Sequence, residues 1–173
     1  LRFNQRSRGK QIHTTLDSFL GWKVLRNSLY DWISLLNVGR KLQRLGSSDI
    51  GKGFYLWPFI QMDLKESLYG LTALNNLLYF NLFEQALELL PVQKKVFYLQ
   101  ENQGWEFGLI QVWKKASQGD LIGVPHSTVR FWDLRYFFDS RSYNGVVSNQ
   151  LPRPNMIAVN GKLSREAYCL GGY

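Results

Sequence analysis

The spacing of apolar residues changes character partway along the chain. From about Leu16 to Leu45, Trp22, Leu25, Leu29, Trp32, Ile33 and Leu36 recur three and four residues apart, which predicts an amphipathic helix with one apolar stripe. Arg40, Lys41 and Arg44 fall near its end, where cations suit the helix dipole, and Gly46 stops it. Residues 46–58, GSSDIGKGFYLWP, read as a loop, and the GKG within it is too slight a pattern for a phosphate loop. A second long helix is expected from about Asp63 to Leu90, with Leu64, Leu68, Leu71, Leu74, Leu78 and Leu82 in its stripe and Pro91 as its terminator. It is apolar on most sides, so burial between other elements is predicted. The uncharged run 67–83 approaches the length of a membrane span. Gly70, Asn75, Asn76 and Asn81 within it, and Glu84 and Glu88 after it, favour a buried helix instead.

Beyond Pro91 the runs shorten. Lys95–Gln100 reads as a buried strand, Gln103–Ser117 as a helix, Leu121–Val124 as a second strand and Met156–Val159 as a third. A last helix begins near Lys162 and breaks at Gly171–Gly172. Strands alternating with helices predict an α/β fold, a Rossmann-like parallel sheet flanked by helices, with a helical N-terminal portion. The expected organisation is a basic irregular arm over 1–15 and a single α/β domain over 16–173, helical over about 16–90 and Rossmann-like over about 94–173.

In an open parallel sheet, ligands bind beyond the carboxyl ends of the strands. The first strand ends in Glu101, Asn102 and Gln103, the second in His126, Ser127 and Thr128, and the third in Asn160. The fold is expected to gather these polar groups at one edge. Glu101 and His126 are the candidate catalytic residues, because a carboxylate and an imidazole both move protons near neutral pH. Asn102, Gln103, Ser127 and Asn160 are candidate substrate-binding residues. Two readings of the first group stay open. Glu101 acts as a base or electrostatic partner, or it only complements the dipole of a helix capped by Asn102 or Gln103. The stretch STVRFWDLRYFFD, 127–139, interleaves Arg130 and Arg135 with aromatics. Such a pattern can stack on bases or sugars, or anchor a loop in the core. Arg130, four residues after His126, is assigned to phosphate or an acidic sugar. No nucleophile-elbow pattern occurs.

Composition narrows the classes. The 173 residues are 45% hydrophobic and 15% aromatic, enough to bury a core and too apolar for disorder throughout. The net charge of +8 is uneven: residues 1–52 hold ten Lys/Arg against three Asp/Glu, a net of +7. A basic segment of this kind suits nucleic acid, an anionic membrane surface, an anionic substrate or a solvated arm. With Cys169 as the sole cysteine and only two histidines, neither a disulfide framework nor a structural zinc site is expected. The chain opens on Leu1 with no signal-peptide pattern, which suggests a piece of a longer protein.

The runs YLQENQGWE, LIGVPHSTVRFWDLRYFFD and LPRPNMIAVNG, with the closing GGY, together resemble a bacterial family of surface carbohydrate biosynthesis proteins, glycosyltransferases for O-antigen or capsule-like polysaccharide. The resemblance covers about 55–173 and is strongest over 96–161. It implies a transferase of two facing Rossmann-like domains (GT-B-like), of which this chain is the N-terminal, acceptor-side half. The missing C-terminal domain would bind most of the nucleotide-sugar, so the fragment alone is expected to be inactive. Further implications are a glycan or lipid-linked acceptor, a cytoplasmic location at the inner membrane, and peripheral contact of the basic arm with anionic lipid. No DxD-like pair occurs, so no essential metal or cofactor is expected beyond the nucleotide-sugar substrate. Glu101 would deprotonate the acceptor or, where configuration is retained, act as the nucleophile, while His126 and Arg130 would stabilise the departing phosphate. The competing reading is a nucleic-acid-binding module that uses the basic N-terminal region and the loop 127–139; under the transferase reading, nucleic acid is not a partner.

Overall fold

The computed structural model describes residues 13–46, 57–127, 133–139, 142–143 and 150–173. Most of the expected arm and of the loop 46–58 lies outside these residues. The chain packs as two compact units, Leu1–Glu88 and Leu89–Tyr173.

The first unit is helical. A short 3-10 turn, Leu16–Phe19, precedes α1 (Trp22–Gly46), α2 (Trp57–Tyr69) and α3 (Leu71–Leu89). The long helix expected over 63–90 is therefore two helices, interrupted at Gly70. The break is braced locally. The Glu66 carboxylate folds over Gly70 and accepts hydrogen bonds from the Thr72 amide at 3.0 Å and the Thr72 hydroxyl at 3.2 Å. It thereby caps the first turn of α3, whose amides have no partner within their own helix. A Cβ on residue 70 would meet the Glu66 carboxylate where it stands, so any other residue there shifts that flexible side chain from its cap.

The stripe expected on α1 is also corrected. Trp22, Leu25, Leu29 and Ile33 are exposed, and the buried positions include Val24, Ser28 and Gly39. Polar links help select the covered face. Asn81, buried in α3, donates to the Asp31 carboxylate of α1 at 2.8 Å and to its own helix at the Leu77 carbonyl. Lys23 of α1 pairs with Glu88 at the end of the unit. A buried amide left without a partner costs more than an exposed leucine, so Asn81 draws Asp31 inward. Among the described residues no helix is long and apolar enough to cross a membrane.

The second unit is a three-stranded, wholly parallel sheet flanked by helices. Strand β1 (Lys95–Gln100) pairs with β2 (Asp120–Pro125), and β2 with β3 (Met156–Ile157), in the order β1-β2-β3. Helix α4 (Gly104–Lys115) connects the first two strands, and α5 (Lys162–Leu170) follows the third. The mixed α/β character and the alternation of elements agree with expectation. The reading of β1 as wholly buried does not. Tyr98 and Gln100 are buried, whereas Phe97 and Leu99 are 62% and 52% exposed. β1 is an edge strand with one covered face, so its side chains alternate in burial with period two. The central β2 is the one buried on successive positions, Leu121 to Gly123. Complete burial of Leu121 contributes about 2 kcal/mol. On the covered side, Tyr136 and Tyr168 meet edge to face with ring centroids 5.5 Å apart, and Tyr173 packs on Tyr168 at 5.0 Å. The Trp113 indole of α4 donates to the Gly119 carbonyl at 2.7 Å, which fixes the turn into β2.

Candidate functional site at the carboxyl edge of the sheet

Register determines which side chains meet. Lys95 pairs with Asp120 and, five residues on, Gln100 with Pro125. The next residue on each strand is Glu101 and His126, which the parallel pairing carries to the same edge. The imidazole Nδ1 lies 3.3 Å from a Glu101 carboxylate oxygen, with the Glu101 side chain 35% and the His126 side chain 62% exposed. The pair is reachable from solvent, and one partner can hold the charge that the other develops.

The backbone beneath Glu101 is held by a residue that the sequence reading did not single out. Glu106, 1% exposed in the first turn of α4, accepts hydrogen bonds from three consecutive amides. Glu101 and Asn102 donate at 3.0 Å, and Gln103 at 3.1 Å. Burial pushes the Glu106 carboxyl above its ordinary range, and the amide donors pull it back part of the way. The signal for it was the Gln103-x-x-Glu106 spacing ahead of an apolar run, a capping-box pattern.

Asn102 braces the edge from within the chain. Its backbone is left-handed, with φ of 56°, a conformation that asparagine tolerates better than most residues. Its side-chain amide donates to the Arg135 carbonyl at 2.8 Å. Its carbonyl oxygen accepts from the Gln100 amide at 3.1 Å and from the Tyr173 hydroxyl at 2.8 Å. These bonds tie the end of β1 to the turn 133–136 and to Tyr173, so Asn102 organises the edge. Gln100 lies wholly buried beneath, its backbone carbonyl accepting from the Tyr136 hydroxyl at 3.2 Å. Its side chain fits because residue 123 is glycine; a Cβ there would come within 2.5 Å of the Gln100 side-chain oxygen.

The other predicted residues divide. Ser127 is exposed, directly after His126. Asn160 lies three residues beyond β3 and accepts from the Ser164 hydroxyl at 2.7 Å, which commits its side-chain oxygen to the first turn of α5. Arg130 and Thr128 lie outside the described residues. Arg135 forms a forked pair with Asp133, at 2.9 and 2.7 Å, and these hydrogen bonds hold its proton more firmly than usual. Burial likewise raises the hydroxyls of Tyr98 and Tyr168 and pushes Tyr173 up to about 12. Among the described residues no three His, Cys, Asp or Glu side chains gather closely enough to hold a metal ion.

The geometry thus defines a parallel α/β unit that presents a carboxylate–imidazole pair on a braced strand edge. Comparison with protein-family models, curated proteins and solved structures returns no match for the chain.

Proposed function

We propose that the second unit is a Rossmann-like half of a nucleotide-sugar-dependent glycosyltransferase of surface polysaccharide synthesis, and that it serves the acceptor side. The observation that carries this reading is the Glu101–His126 pair at the carboxyl edge of a parallel sheet, where α/β folds place their ligands. The resemblance of residues 96–161 to surface carbohydrate biosynthesis proteins supplies the substrate class.

Transfer of a sugar requires removal of a proton from an acceptor hydroxyl as the bond to the donor carbon forms. Glu101 is the acceptor of that proton. His126, at ion-pairing distance, holds the carboxylate in place and, when protonated, offsets negative charge on the departing phosphate. The clamp from Glu106 bears on rate as well as stability, because a base displaced by an ångström loses much of its effect.

The test uses the full-length protein with a panel of nucleoside-diphosphate sugars and lipid-linked glycans, measuring nucleoside diphosphate release. Glu101→Gln is expected to lower turnover by about 100-fold or more, with the circular dichroism spectrum unchanged. Wild-type turnover in that variant removes Glu101 from the mechanism. Salt-sensitive binding of single-stranded nucleic acid with no sugar transfer would favour the nucleic-acid-binding alternative.

A further inference from the structure

A concave site whose lining includes neither Glu101 nor His126 lies between β3 and α5. It is a cavity of about 300 Å³, at the lower end of the range for small-molecule sites. Ile157 and Val159 form an apolar wall, the Tyr168 ring another, and Arg153, Arg165 and Cys169 complete the lining. Arg153 is held in position by aromatic rings: its guanidinium carbon lies 4.2 Å from the centre of Tyr143 and 5.1 Å from that of Tyr173. Stacking of this kind fixes the plane of the guanidinium while leaving its N–H edge free for an oxyanion. Among the described residues neither Arg153 nor Arg165 forms an ion pair with a carboxylate. The site therefore combines two uncompensated cations, one of them oriented, with an apolar and aromatic lining.

We propose that this cavity binds a small phosphomonoester, with its phosphate on Arg153 and Arg165 and its apolar or ring-shaped body against Ile157, Val159 and Tyr168. Two guanidinium groups match a dianion better than a carboxylate, and guanidinium–phosphate pairing is commonly forked. The tyrosines around it stay protonated at neutral pH, since burial raises Tyr168 and takes Tyr173 to about 12, so no phenolate opposes the incoming charge. The proposal does not depend on the transferase reading.

Cys169 gives the assay. It is the chain's only cysteine, it is exposed, and it lines the cavity, so its alkylation by neutral iodoacetamide reports whether the cavity is filled. Phenyl phosphate is expected to slow alkylation by about fivefold or more at saturation. Benzoate should protect at higher concentration only, and benzyl alcohol not at all. Arg165→Gln should weaken protection by phenyl phosphate about tenfold, the loss of roughly one charge-assisted hydrogen bond. Arg153→Gln should do the same. Arg165 is exposed on α5, so its variant decides the matter even if loss of Arg153 perturbs the fold. Absence of protection by phenyl phosphate, equal protection by benzyl alcohol, benzoate outcompeting phenyl phosphate, or full protection in Arg165→Gln would each overturn the proposal.

Discussion

At the scale of single residues, the carboxyl edge depends on a side chain that no substrate need touch. Glu106 spends its two oxygens on three amides of the 101–103 turn, so its removal leaves partly buried N–H groups without acceptors. Glu106→Ala is expected to cost about 2–3 kcal/mol, read as a lower denaturant midpoint. Where turnover can be measured, activity should fall as well, because Glu101 loses its footing. A stability change within a few tenths of a kcal/mol would show that the clamp is dispensable. Residue-level reasoning from sequence expected Glu101 and His126 at one edge because parallel strands end on the same side of a sheet; that the two side chains meet is set by the register. Such reasoning had no means of seeing Arg135 and Tyr173 reach Asn102 from 33 and 71 positions away.

At the scale of elements, local pattern served the second unit better than the first. Strands β1 and β2 and helix α4 begin and end within a few residues of expectation, because glycines, prolines and polar ends punctuate short runs. The break between α2 and α3 escaped notice because Leu64, Leu68, Leu71 and Leu74 keep helical spacing across Gly70. The Glu66 cap stabilises the break at Gly70, and periodicity does not register it. Glu66→Ala should therefore cost about 1 kcal/mol, the usual worth of an N-terminal cap, and should lengthen neither helix. An increase in helical circular dichroism on that substitution would mean that Glu66 enforces the break rather than stabilising it. The exposed stripe of α1 shows a second limit. Apolar spacing identifies a helix, yet burial there follows the Asn81–Asp31 bond rather than the leucines.

At the scale of the whole molecule, the second unit is held by a tyrosine cluster whose hydroxyls resist ionisation. An unfolded chain releases such protons near pH 10, the ordinary value, whereas the folded unit holds that of Tyr173 until about 12. The folded state thus binds more protons than the unfolded state in this window. The contribution is fully present below pH 10 and is lost as pH rises through the folded values. The expected result is a cooperative alkaline transition in which tyrosinate absorbance from the cluster appears together with loss of circular dichroism. Ionisation of these tyrosines with the fold intact would contradict their burial.

The bond between Tyr173 and Asn102 also has a kinetic side. It joins positions 71 residues apart, and such distant pairs pay their closure entropy before any reward. The β1 turn can form early around Glu106, whereas its tie to Tyr173 must wait until nearly all of the second unit has been synthesised and ordered. Contacts made that late act after the folding barrier. Tyr173→Phe should accordingly leave the refolding rate almost unchanged and speed unfolding about fivefold, the equivalent of a single hydrogen bond of about 1 kcal/mol. Stopped-flow folding measurements would then identify the carboxyl edge as the last part of the unit to close and the first to open.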